Sequence, residues 1–142
     1  MKISDVVRHK GDNVVTVKPG DTVEAMLEVL AEHKIGAVVV SADGSSIDGI
    51  VSERDVVRQL VSAGREMLGR AVSDIMTTEV QTAGLEDDLV DIATSMTNGR
   101  FRHMPVVVGG RLSGIVSLGD VVKHRLEEIQ AERDQLIKYI QQ

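Results

Sequence analysis

Gly49-Ile50-Val51-Ser52-Glu53-Arg54-Asp55-Val56-Val57 recurs 65 positions later as Gly114-Ile115-Val116-Ser117-Leu118-Gly119-Asp120-Val121-Val122. Apolar residues repeat whenever two segments fold alike, but a retained Gly, Ser and Asp call for a chemical reason. Working outward, Val14, Thr16, Asp21, Val23, Met26, Leu27 and Leu30 correspond to Val80, Thr82, Asp87, Leu89, Ile92, Ala93 and Met96 at a shift of 66. Ser4-Asp5-Val6-Val7 corresponds to Ser73-Asp74-Ile75-Met76 at a shift of 69, so loops absorb the drift. Repeats of roughly 20 to 50 residues build open arrays. A longer unit occurring twice predicts two halves packed into one globule with pseudo-twofold symmetry.

Each repeat reads as strand, helix, strand, strand, helix. Val14-Val15-Thr16-Val17 is a β-branched run closed by Pro19-Gly20, a strand ending in a turn. Asp21 or Thr22 can cap the next helix, in which Val23, Met26, Leu27 and Leu30 form one apolar stripe that Leu89, Ile92, Ala93 and Met96 reproduce. Ala37 to Val40 and Gly49 to Val51 flank Asp43-Gly44-Ser45-Ser46 as two strands of a hairpin, and Met104 to Val108 and Leu112 to Val116 flank Gly109-Gly110 likewise. A helix begins at Ser52 and again at Ser117. Such units give small sheets backed by helices, an α+β protein.

Composition narrows the functions. A chain of 142 residues suffices for one domain with a substantial core, or for two half-domains sharing one. With Phe101 and Tyr139 as the only aromatics, that core must be aliphatic. A net charge of −6 and the lack of stacking platforms argue against nucleic acid and anionic membranes. The absence of cysteine excludes disulfides, thiolate nucleophiles and sulfur-ligated metals. Met1-Lys2-Ile3-Ser4-Asp5 lacks the apolar core of a signal peptide, and no apolar run approaches the roughly 20 residues of a membrane span. A cytoplasmic location is the expectation.

Ser followed three residues later by an acid at a helix start is a capping signature. The Ser hydroxyl accepts from the Asp amide, the carboxylate accepts in return, and an acid in the first turn suits the helix dipole. Such a cap contributes about 1 kcal/mol and occurs in proteins that bind nothing. A second reading stands beside it: the preceding Gly lets a backbone or ligand come close, the helix N-terminus offers amides to an anion, and the carboxylate can accept from vicinal ribose hydroxyls.

With Thr16 and Thr82 on the first strands, and Ile35-Gly36-Ala37 and Arg102-His103-Met104-Pro105-Val106 leading into the second, residues 1 to 128 resemble a tandem pair of cystathionine-β-synthase (CBS) domains. The resemblance implies two β-α-β-β-α repeats, at 1–68 and 69–128, with a helical extension at 129–142. It further implies a regulatory module whose two clefts hold AMP foremost, or ADP, ATP, NAD(H) or S-adenosylmethionine, with no catalytic cofactor. One cleft would combine Ser52, Arg54 and Asp55 with Thr82, Arg102, His103 and Pro105. The other would combine Ser117, Gly119 and Asp120 with Thr16, Ile35, Gly36 and Ala37. Arg102 offers a fork to phosphate and His103 a titratable donor, so the Asp55 cleft is expected to prefer the more phosphorylated ligand and the Asp120 cleft a nucleoside or monophosphate. Such pairs commonly form homodimers and act on a separate client protein. A ligand-free interaction module, its motifs serving only as caps, is the alternative.

No other constellation carries chemistry. His9, His33, His103 and His124 show no i+3 or i+4 spacing for a metal. Glu86-Asp87-Asp88 falls at a helix start, where carboxylates complement the dipole. Neither Ser52 nor Ser117 has a matched base, so no enzyme activity is expected. The C-terminal helical pattern continues to the chain end, with Val122, Leu126, Ile129, Arg133, Leu136 and Ile140 stepping by 4, 3, 4, 3 and 4. That is a seam interrupted once by Arg133, which either folds back or pairs with a second chain.

Overall fold

Val38, Val39 and Val40 place three β-branched side chains in a row, a run suited to extended backbone, and they lie in the middle strand of a three-stranded sheet. In the computed structural model, which describes residues 1–10 and 14–142, β1 (Thr16–Val17) runs parallel to β2 (Ala37–Val40), and β2 pairs antiparallel with β3 (Gly49–Ser52). Val39 stands opposite both Thr16 and Ile50. Every residue of β2 is buried, whereas β3 alternates. Between β1 and β2 lies α2 (Val23–His33), where Thr22 rather than Asp21 is the cap, accepting from the Ala25 amide at 3.1 Å. The helix α3 (Glu53–Ala63) follows β3 directly.

The second repeat forms α4 (Leu89–Gly99), the paired strands β4 (His103–Val108) and β5 (Arg111–Ser117), and α5 (Leu118–Gln141). Asp88 caps α4 by accepting from the Val90 amide at 3.1 Å. The strand expected around Val80 and Thr82 is reduced to one parallel bridge: the Ala83 amide donates to the Pro105 carbonyl, and the Val107 amide donates to the Ala83 carbonyl, each at 2.9 Å. Extending that ladder toward Gln81 would need an N–H from residue 105, and proline has none. Pro105 therefore ends the pairing that its neighbours begin.

Two compact units result. One comprises Asn13–Gln81 with Gly109–Ser113, and the other Met1–Asp12, Thr82–Val108 and Gly114–Gln142. Val17, Val23, Met26, Leu30, Val38, Val51 and Met67 fill the first core, and Leu89, Ile92, Met96, Met104, Val106 and Val116 the second. The units cut the chain differently from the repeat boundaries. An N-terminal helix that periodicity had not revealed, α1 (Ile3–Lys10), inserts Ile3 and Val6 into the second core. Their counterparts Val72 and Ile75, at and just after a 3₁₀ turn over Val72–Asp74, enter the first. The segment preceding each repeat thus completes the core of the other.

The motif glycines differ in what holds them. A Cβ on Gly49 would lie 2.8 Å from the Thr77 carbonyl oxygen, which accepts from the Ile50 amide at 3.0 Å while the Thr77 amide returns a bond at 2.9 Å. A Cβ on Gly114 would meet nothing closer than Val7 Cγ1 at 3.8 Å. The close partners at Gly49 are the Met76 side chain, with Sδ at 2.6 Å, and the Thr77 backbone, of which only the first can move aside easily.

Beyond Glu128, α5 runs exposed to its end, with Leu136, Tyr139 and Ile140 at 63%, 79% and 79% exposure. The seam does not fold back onto the described residues. No helix is long and apolar enough to cross a membrane, among the described residues.

Gly49→Ala is expected to lower the free energy of unfolding by about 1 to 3 kcal/mol through overpacking against fixed backbone, whereas Gly114→Ala leaves it unchanged or raises it slightly. Urea unfolding followed by circular dichroism distinguishes the two.

Candidate functional site

Both Ser-x-x-Asp motifs close complete capping boxes. Ser52 Oγ accepts from the Asp55 amide at 3.3 Å, and Asp55 Oδ2 accepts from the Ser52 amide at 2.8 Å. In the second copy the distances are 3.1 Å to Ser117 Oγ and 2.9 Å to Asp120 Oδ2. The cap reading of these residues therefore holds in full, and each Ser sits just outside its helix. In each carboxylate the bonds fall on Oδ2, so Oδ1 takes no hydrogen bond among the described residues.

A second device repeats with the first. The Glu53 amide, first in α3, donates to the Gly36 carbonyl at 3.0 Å, and the Leu118 amide, first in α5, donates to the Arg102 carbonyl at 2.8 Å. The residue leading into the second strand of each repeat is thereby tied to the helix carrying the motif. With the first and third amides so engaged, the amides of Arg54 and Gly119 are the first-turn donors left for an anion.

Within the second unit, Arg102 and His103 come together with Ser117, Leu118 and Gly119, lining an open groove of about 760 Å³ that continues along Val122, Leu126 and Gln130. Arg102 is exposed and His103 half-buried. Asp120 does not line this groove. Thr82 is exposed beside the Ala83 bridge, and Pro105 is buried in β4. In the first unit, Thr16 opens β1, Ile35 and Gly36 precede β2, Ala37 begins it, and Arg54 is exposed on the first turn of α3.

Asp120 turns toward α1. Lys10 Nζ donates to its Oδ2 at 2.7 Å and to the Ile115 carbonyl at 3.0 Å. Burial pushes the Asp120 carboxyl up, but the Lys10 hydrogen bond and the Ser117 amide outweigh it, and the group titrates below the ordinary value of 3.8. Beside this pair the rings of His9 and His124 meet edge to face, their centroids 5.4 Å apart. Neither contact follows from local spacing, because the partners lie 110 and 115 positions apart along the chain. The one signal available for Lys10 was its mismatch with Glu79 at the shift of 69. No group of three or more His, Asp or Glu side chains could hold a metal, among the described residues.

This duplicated architecture has relatives. The sequence profile of the family described as CBS domain matches residues 3–62 and again 72–127. The chain belongs to the CBS-domain family. The CBS pair is similar to the crystal structure of the CBS-domain containing protein ATU1752 from Agrobacterium tumefaciens, at a TM-score of 0.85 and 43% identity, over 88% of this chain and 99% of that one. It is 35% identical over 147 residues to the CBS domain-containing protein CBSX3, mitochondrial, of Arabidopsis thaliana, covering 98% of this chain and 71% of the relative. The CBS domain pair of protein MJ0100, crystallised in complex with 5′-methylthioadenosine and S-adenosyl-L-methionine, shares the fold at a TM-score of 0.78 and 20% identity, over 90% of this chain and 98% of that one.

Because the folded pKa of Asp120 is depressed, its stabilising contribution is present above the unfolded value near 3.8 and is lost as pH falls through the folded value. Lys10→Met is therefore expected to melt below the wild type at pH 7, with the gap closing below about pH 4. Thermal scans at pH 7, 5 and 3 check this.

Proposed function

We propose that this CBS pair is a regulatory module that binds an adenosine-containing ligand, AMP foremost and ATP or NAD(H) next, and changes the activity or assembly of a separate protein, without catalysis of its own. The observation that supports it is the duplicated motif carboxylate, with Oδ2 engaged in its own cap and Oδ1 without a hydrogen-bond donor in both copies, among the described residues. A ribose hydroxyl would donate to that oxygen. The amides of Arg54 and Gly119 and the Arg102 guanidinium would serve phosphate, while Thr16, Thr82, His103 and the residues around Gly36 and Pro105 would line the remainder. That MJ0100's pair holds two adenosine compounds within the same fold is consistent with this reading.

Regulation requires the ligand to bind two conformations with different affinity. Residues at a strand-to-helix junction suit that task, because a ligand held there pulls on two elements at once. A cytoplasmic setting is part of the proposal, as is the exclusion of nucleic acid and membranes as partners.

AMP at 100 times its dissociation constant is expected to add about 2.7 kcal/mol of stability. Asp55→Ala and Asp120→Ala should each remove one part of the calorimetric binding signal. Unchanged melting across AMP, ATP, NADH and S-adenosylmethionine would overturn the proposal in favour of a ligand-free interaction module.

The exposed seam on α5 supports a role in association. Val122, Leu126, Ile129, Leu136 and Ile140 are 47% to 79% exposed along one heptad-spaced stripe, the pattern by which two helices interlock. We infer a homodimer strengthened by this helix. Truncation after Glu128 should shift the mass seen by light scattering from dimer toward monomer, and an unchanged mass would exclude the pairing role.

A further inference from the structure

Asp55 and Asp120 build the same cap, yet among the described residues a cation sits only at Asp120. Lys10 reaches Asp120 Oδ2 at 2.7 Å and the Ile115 carbonyl at 3.0 Å. An ammonium has three N–H donors, so one remains beyond these two bonds, on a side chain that is 39% exposed. At Asp55 the corresponding place on the carboxylate is taken by its own Ser52 hydroxyl at 3.1 Å, a neutral donor. At the shift of 69 the residue matching Lys10 is Glu79, so the other repeat has no basic residue at that position.

We propose, building on the nucleotide reading above, that Lys10 sets the ligand class of the Asp120 site, selecting a nucleoside with a phosphate on its ribose 2′ or 3′ oxygen over one with an unsubstituted diol. A bare carboxylate accepts from both hydroxyls of a diol but repels a phosphate placed beside it. A carboxylate paired with a cation behaves differently: its charge is offset, and the cation supplies a charge-assisted bond to the phosphate. Dinucleotide sites use the same chemistry, an acid alone for the free ribose and a nearby basic group where the ribose is phosphorylated. Here a sugar oxygen donating to Asp120 Oδ1 would leave the neighbouring ester phosphate beside the third N–H of Lys10. This differs from the expectation from sequence, which placed a nucleoside or monophosphate at Asp120 because the Arg102 fork and His103 were assigned to the Asp55 cleft.

Isothermal titration of the full chain with AMP, adenosine 3′,5′-bisphosphate and adenosine 2′,5′-bisphosphate tests it. In Asp55→Asn, which leaves the Asp120 site, one of the two bisphosphates is expected to bind about tenfold tighter than AMP, the scale of one charge-assisted hydrogen bond. Adding Lys10→Met should erase that preference, and adding Lys10→Arg should keep it. In Asp120→Asn, which leaves the Asp55 site, Lys10→Met should change nothing. Melting curves taken on each variant confirm that it is folded at the titration temperature. AMP binding with no preference for either bisphosphate in Asp55→Asn, or a preference that survives Lys10→Met, overturns the role of Lys10 and leaves the adenosine reading standing. No binding of any of the three to the wild type overturns both.

Discussion

The reciprocal bonds between a Ser and the Asp three residues on are the constraint around which each half is organised. They mark where the terminal helix begins, and they hold the Ser in extended backbone so that the preceding strand can finish its pairing. The amide next along the helix then reaches back to the carbonyl before the second strand. Strand, cap and helix are locked together by a few hydrogen bonds made twice. The same bonds fix the carboxylate, since using Oδ2 in the cap leaves Oδ1 as the oxygen without a donor among the described residues. A structural role and a binding role are therefore compatible, and the cap is what preorganises the acceptor.

Duplication supplies the frame, and differences between the copies supply individuality. The two residues inside the motif are Glu53-Arg54 in one copy and Leu118-Gly119 in the other, so one helix start is charged and the other uncharged. Pro105 ends a ladder that continues in the first repeat, because it lacks the donor the next rung requires. Gly49 is held by the Thr77 backbone, while Gly114 has room around it. Lys10 neutralises one motif carboxylate and has no counterpart at the other. Each difference is a change of one side chain on a shared backbone plan.

The exchange of preceding segments explains how such short repeats become stable. Sheets of two and three strands leave core surface open at one end, and Ile3 and Val6 in one unit, Val72 and Ile75 in the other, fill it. Burying those side chains contributes on the order of 1.5 to 3 kcal/mol each for the larger ones, a large fraction of the stability of a small domain. Each unit's core thereby includes a segment that precedes the other repeat.

The helix, hairpin and helix of each repeat, the apolar stripes of α2 and α4 and both caps were legible in the sequence, because each depends on neighbours within a few positions whose periodicity or turn chemistry is local. The Ser-x-x-Asp motifs at the two helix starts were legible for the same reason. Helix α1 was not, since eight residues with two core contacts give too short a period to recognise. The Lys10 to Asp120 pair, the His9 to His124 contact and the steric demand at Gly49 were invisible for a different reason: their partners lie 110, 115 and 28 positions away. Local spacing determined which groups exist and where each helix starts. Only the tertiary structure decided which carboxylate meets a cation, because that depends on which distant segment the core draws in beside it.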